Sequence, residues 1–373
     1  SLGRIESVHG RTTMRAGVAC ELGSDGSWRL ALEDLSMDRL VPDRELIAAL
    51  PGRLKNVAAE LKPSGPVNVN GSLELARGPG ADAGFTSQWN VEFIVHNGAV
   101  DVGVKLENVN GAVALAGRYD GRSIRSWGEL DLDSASYNGV QLTRIQGPVA
   151  VDDVRVRLGQ FVEPGPNRPR QAITAQLFGG TFRGSGEVVL GTGLEYRLQG
   201  MLTDGELGSL AREMMVGHHN LRGRIGAAVR LEGKGKSLNG LDGAGRIELR
   251  DADIYELPLV VALLKILSVG EPDQTAFTTS DIDFYIHGGH IYLPRITFGG
   301  DAFSLEGLGR MEFDTSIQLT LRSLLGRPEW QWPVIGELLG GASEQLMVIH
   351  VGGTLEKPVQ YREPFPGLQE ALR

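Results

Sequence analysis

Between Leu241 and Val359 the chain repeats one strand-turn-strand pattern and interrupts it with an almost wholly apolar segment, Leu257 to Val269. In the strands apolar residues recur at every second position: Ile247 and Leu249, then Ile282, Phe284 and Ile286, then Phe303 and Leu305, then Ile317, Leu319 and Leu321. Successive side chains of a strand point to opposite faces, so period two gives each strand one apolar face and one wet face. A long series of such strands with few helices must cover its apolar face with a second sheet, with the same sheet curled over, or with an apolar ligand.

Composition agrees with a sheet protein. Gly supplies 52 of 373 residues, about twice the usual share of roughly 7%. No Gly-X-Y period accompanies them, so they are read as turn and bulge residues. The 37 basic and 46 acidic residues leave a net charge of −9, which opposes nucleic acid and an anionic bilayer as electrostatic partners. A single cysteine, Cys20, forms no intrachain disulfide. The longest apolar run, Leu257 to Leu267, carries Lys265 and falls well short of the roughly 20 residues of a spanning helix. The opening SLGRIESVHG has neither an initiator Met nor a signal-like region, so the chain reads as a fragment whose membrane anchor would lie upstream.

Asn-Gly pairs at Asn70-Gly71, Asn97-Gly98, Asn110-Gly111, Asn138-Gly139 and Asn239-Gly240 predict hairpin turns in an antiparallel meander, because both residues tolerate positive φ. Short helices are predicted in four places. Met37 to Leu61 is broken by Pro42 and Pro51; Glu206 to Val216 sets Leu207, Leu210, Ala211 and Met214 on one face; the others are Pro258 to Val269 and a piece near Pro333 to Leu339. The segment FVEPGPNRPR, between Gln160 and Gln171, breaks all periodicity and predicts an exposed connection. It divides the chain into an N-terminal part, 1–165, and a C-terminal part, 166–373.

Signals of chemistry are weak. His287-Gly288-Gly289-His290 reads as a hairpin turn rather than a metal pair, since it lacks recognised zinc-site spacing. Asp281 and Asp283 share the wet face of one strand and read as solvated. Gly233-Lys234-Gly235-Lys236-Ser237 lacks the earlier Gly of a phosphate-binding loop, and no nucleophile elbow or H-E-x-x-H motif occurs. Neither an enzyme, a metal nor a cofactor is expected. The apolar helix around Leu263 must be buried on most sides. It is either a core helix or an element that shapes the mouth of a groove.

The runs GLDGAGRIELRDADIYELPLVVALLKIL, FGGDAFSLEGLGRMEFD and VGGTLEKPV, with LFGGTFRGSGEVVL and the LGSLAREMM helix upstream, resemble the C-terminal region of AsmA-like proteins of bacterial envelopes, related to bridge-like lipid-transfer proteins. The match is clearest from Ala172 to Val359. The resemblance implies an elongated, curled antiparallel β-sheet whose inner face is a hydrophobic groove, with a few short helices. It further implies a periplasmic position, an inner-membrane anchor in the full-length protein, and non-enzymatic guidance of phospholipid between inner and outer membranes. The acyl chains would then contact Ile247, Leu249, Leu263, Ile282, Phe284, Ile286, Phe303, Leu305, Ile317, Leu319 and Leu321.

The energetics suit such a device. A chain of ~16 carbons costs on the order of 12 kcal/mol to expose to water at about 0.8 kcal/mol per CH₂. The alternative is a structural or adhesive all-β protein whose apolar face is a closed, dry core. A carbohydrate-active β-solenoid ranks last, because aromatics make up only 6% of the chain and no convincing acid pair is present.

Overall fold

A computed structural model describes residues 2–49, 55, 58–59, 61–80, 83–101, 105–163, 170–189, 193–214, 221–235, 237–252, 278–300, 303–325 and 345–363. The protein is mainly β: twenty strands hydrogen-bond as antiparallel sheet. Two α-helices are described, α1 (Arg44–Ala49) and α2 (Leu207–Met214), and Lys55, Ala58, Ala59 and Leu61 are also helical. The expected apolar helix around Leu263 and the piece near Pro333 to Leu339 lie outside the described residues.

The chain divides into two compact units. The first comprises Ser1–Leu177, Phe182–Leu198 and Lys234–Lys236; the second comprises Phe178–Thr181, Gln199–Gly233 and Ser237–Arg373.

In the first unit β1 (Leu2–His9), β2 (Thr12–Leu22), β3 (Trp28–Leu40), β4 (Val67–Arg77), β5 (Phe85–Asp101), β6 (Lys105–Tyr119), β7 (Ile124–Tyr137) and β8 (Val140–Asp152) pair in sequence order as a meander. The next position in the sheet is shared. β9 (Arg155–Leu158) pairs with the C-terminal part of β8, and β10 (Ile173–Leu177) pairs with its N-terminal part. The proline-rich segment lies between these two strands, so the chain leaves the sheet after β9 and re-enters beside the same neighbour. β11 (Gly180–Val189) then pairs with β9.

Three of the expected turns are corrected. Asn70-Gly71, Asn97-Gly98 and Asn110-Gly111 sit inside β4, β5 and β6, not between strands. The register slips by a residue between Val95 and Gly98 and again beside Asn110, where Asn97 and Asn108 both have φ of 51°. A β-bulge needs the same positive φ as a hairpin turn, so the dipeptide signals both. Asn138-Gly139 is a true turn between β7 and β8, with φ of 49° and 84°. Asn239-Gly240 closes a short 3-10 turn ahead of Leu241.

The helical expectation for Met37 to Leu61 holds only in part. Met37 and Leu40 belong to β3, opposite Val69 and Val67. The helix begins after Pro42, where the Asp43 carboxylate accepts the Leu46 N–H at 2.8 Å and caps it. α2 matches its expectation, with Leu207 and Ala211 buried and Ser209 Oγ donating to Glu206 Oε2 at 3.0 Å. Met214, expected on the buried face, is exposed.

The second unit contains β14 (Leu241–Arg250), β15 (Thr279–His287), β16 (His290–Gly299), β17 (Phe303–Glu312), β18 (Ile317–Leu325), β19 (Gln345–Gly353) and β20 (Pro358–Glu363), again paired in sequence order. β13 (Arg224–Lys234) precedes β14 in register from Arg224 opposite Arg250 to Gly233 opposite Leu241. The remaining strand, β12, spans Glu195–Glu206.

Candidate functional site: an apolar sheet face

The strand register brings the sequence-predicted residues of the second unit onto one face. Ile247, Ile282, Ile296, Gly307, Leu321 and Ile349 form one transverse row, each directly opposite the next. Leu249, Ser280, Phe298, Leu305 and Ser323 form a second. Gly243, Ile286, Ile291, Met311 and Ile317 form a third. Phe284 lies opposite Gly245, and Leu319 opposite Gly309 and Val351. At position 303 the backbone pairs with Leu325; Leu263 is outside the described residues. At β20 Gln360 stands opposite Val351.

Burial divides these residues. Leu305, Leu321 and Ile349 are completely buried, while Ile247, Ile282 and Phe284 are only partly buried. Glycines in the rows give the large side chains room. A Cβ at Gly309 would stand 2.6 Å from Leu319 Cδ2, and one at Gly307 2.7 Å from Leu321 Cδ2. The leucines therefore lie across the glycines of the neighbouring strand.

The first unit carries an equivalent face that was less evident from the sequence. Leu32, Leu73, Trp89, Gly117, Ser126, Val151, Val156 and Val188 form one row across eight strands. A second row runs through Val91, Leu115, Gly128 and Val149, and a third through Met37, Val69, Phe93, Val113, Leu130 and Gly147. Trp89, Val91, Phe93, Val95, Val113, Leu115 and Leu130 are all half-buried, and in β5 they alternate with the exposed Thr86, Gln88, Asn90 and Glu92. Within this unit the described strands belong to one sheet, so no second sheet of described residues packs over the face. From β3 to β9 the wall measures roughly 29 Å along the sheet at ~4.8 Å per strand. Local packing is densest beside the bulges, where Val109, Leu132, Ala135, Ile145, Ile173 and Ala175 form a buried cluster.

The opposite faces are polar and ion-paired. In the second unit Arg246 contacts Asp281 and Glu248, and Arg295 Nε donates to Asp283 Oδ2 at 2.8 Å. Hydrogen bonding to Asp281, together with its charge and those of Glu248 and Asp283, raises the Arg246 pKa. Asp281 and Asp283 thus serve as counter-ions on a wet face. His287 and His290 face each other across the Gly288-Gly289 turn, as expected of a hairpin. Each has its own carboxylate, Asp242 at 2.7 Å from His287 Nδ1 and Glu312 at 2.7 Å from His290 Nδ1. Among the described residues no group of three or more His, Cys, Asp or Glu is placed to hold a metal ion. No described helix is long and apolar enough to cross a membrane.

Comparison with known proteins gives no match to any family model, curated protein or solved structure.

Proposed function

We propose that this chain is a non-enzymatic lipid-binding and lipid-transfer protein of the bacterial cell envelope, which guides phospholipid along an apolar sheet face between inner and outer membranes. One observation carries the reading: the apolar face of the first unit continues across eight strands with its largest side chains half-buried. Leu32, Val69, Val149, Val156 and Val188 in the same rows are buried, while the half-buried apolar surface of β5 to β7 between them calls for a partner of the same character. Acyl chains fit, because they need a continuous greasy wall and no directional contacts. The periplasmic setting, and an inner-membrane anchor in the full-length protein, follow from the resemblance to AsmA-like proteins.

A structural all-β protein with a dry core is the second reading. The complete burial of Leu305, Leu321 and Ile349 in the second unit favours it there. Native mass spectrometry with lipid extraction, on protein purified from a bacterium with an intact envelope, separates the two. Transfer predicts co-purifying phospholipid that is lost in Phe93→Asp and Phe284→Asp. A folded, lipid-free wild-type chain would refute the lipid reading.

A further inference from the structure

The apolar face of the first unit finishes differently at the two ends of its strands. At one end Val95, Val113 and Leu130 pack against the buried cluster that contains Ile145 and Ala175. At the other end the last transverse row is Leu22, Trp28, Arg77 and Phe85, each directly opposite the next. Tyr119 stands one row further in, opposite Ser87.

The rings make a belt along this end. Trp28 and Phe85 have centroids 6.3 Å apart, and Phe85 and Tyr119 6.2 Å apart. Tyr119 Oη donates to the Gly121 carbonyl at 2.9 Å, so its polar tip reaches the turn while its ring stays on the wall. Trp28, Phe85 and Tyr119 are half-buried, and Leu22 beside them is exposed. Aromatic side chains gather where apolar surface meets water, and in a bilayer that level is the headgroup level.

Arg77 is the one charged residue in the transverse rows of this face. A charge on an apolar wall is costly unless a polar partner reaches it. Its Nε donates to the Ala83 carbonyl at 3.2 Å, which holds the half-buried guanidinium at the end of β4, between Trp28 and Phe85 in the row. A guanidinium carries five N–H donors in a fork that fits phosphate oxygens. The wall behind it is deep enough for lipid tails. From Phe85 to Val95 it runs roughly 33 Å at ~3.3 Å per residue, against ~15 Å for the tails of one leaflet, half of a ~30 Å hydrocarbon core.

We propose that Arg77 binds the phosphate of a phospholipid headgroup at this end of the face, with the Trp28, Phe85 and Tyr119 belt at headgroup level and the acyl chains lying along the strands toward Val95. The inference rests on the lipid reading of the face. It adds the orientation of the lipid and the residue that selects a phospholipid over an uncharged lipid.

The test is native mass spectrometry of the purified, delipidated chain with phosphatidylglycerol and with diacylglycerol of the same acyl chains. Wild type should prefer phosphatidylglycerol by about tenfold, the worth of a hydrogen bond to a charged group. Arg29→Gln, which removes an exposed charge from the opposite face of β3, should keep that preference. Arg77→Gln should take up diacylglycerol as wild type does and lose the preference, and Arg77→Lys, which keeps the charge without the fork, should retain part of it. A purely structural role through the bond to Ala83 would lower uptake of both lipids together and overturn the assignment. Uptake of both lipids without preference in wild type, or a preference kept in Arg77→Gln, overturns it too while leaving the face a lipid site. Uptake of neither lipid by folded wild type overturns the lipid reading itself, and this inference with it.

Discussion

Gly117 of β6 lies directly opposite Trp89 of β5, and the indole occupies the space that a side chain at position 117 would fill. A Cβ there would stand 2.5 Å from Trp89 Cζ2 and 2.7 Å from the Arg125 carbonyl oxygen. The ring is thus laid flat along the apolar face, in contact with the next strand. Gly117→Val should lift it, at about 1–3 kcal/mol of overpacking. Urea unfolding of the variant would measure this, and a midpoint equal to wild type would contradict the packing described.

Asn97, Asn108 and Asn110 bind the bulges of adjacent strands together. Asn110 Oδ1 accepts the Asn97 N–H at 2.8 Å, and its Nδ2 donates to the Asn108 carbonyl at 2.9 Å and to Ser134 Oγ at 3.2 Å. Asn110→Val leaves these groups unmatched in a part-buried site, and a loss of about 1–3 kcal/mol is expected. Asn97→Gly, which keeps the positive φ, should cost far less. Equal losses in the two variants would show that the side-chain network contributes nothing.

What the sequence revealed and what it hid have physical reasons. Alternation placed Ile247, Ile282 and Leu321 on one face, because side-chain period is a local property of a strand. The Asn-Gly pairs misled, because a mid-strand bulge and a hairpin turn demand the same left-handed residue. Strands such as β5, 17 residues long, were consequently read as two. The face of the first unit was harder to see, since Gly117, Ser126, Gly128 and Gly147 interrupt its alternation while large neighbours such as Trp89 fill the gaps.

Asp120 makes acid stability a local probe. Backbone N–H groups of Ser123 and Arg122 at 2.8 and 2.9 Å, the Ser123 hydroxyl and the Arg125 charge lower its pKa from 3.8 to about 2. A folded-state pKa below the unfolded value contributes stability that is present above about pH 4 and lost as pH falls toward 2. Asp120→Asn should therefore flatten the fall in Tm across that window and leave the shape of the curve at neutral pH unchanged. Parallel Tm profiles of variant and wild type between pH 4 and 2 would count against this account.

The two units should respond oppositely to a charge on the apolar face. Leu321 is completely buried, so Leu321→Asp places a carboxylate where water cannot follow, and several kcal/mol of destabilisation is expected. Val91 is half-buried, and a carboxylate there reaches solvent, so Val91→Asp should cost only about 1–2 kcal/mol while repelling an acyl chain. If the first face is a lipid wall, Val91→Asp purifies folded and free of lipid, and Leu321→Asp fails to fold its unit. A dry core in both units predicts the same severe loss for each, and circular dichroism with limited proteolysis of the two variants would separate these outcomes.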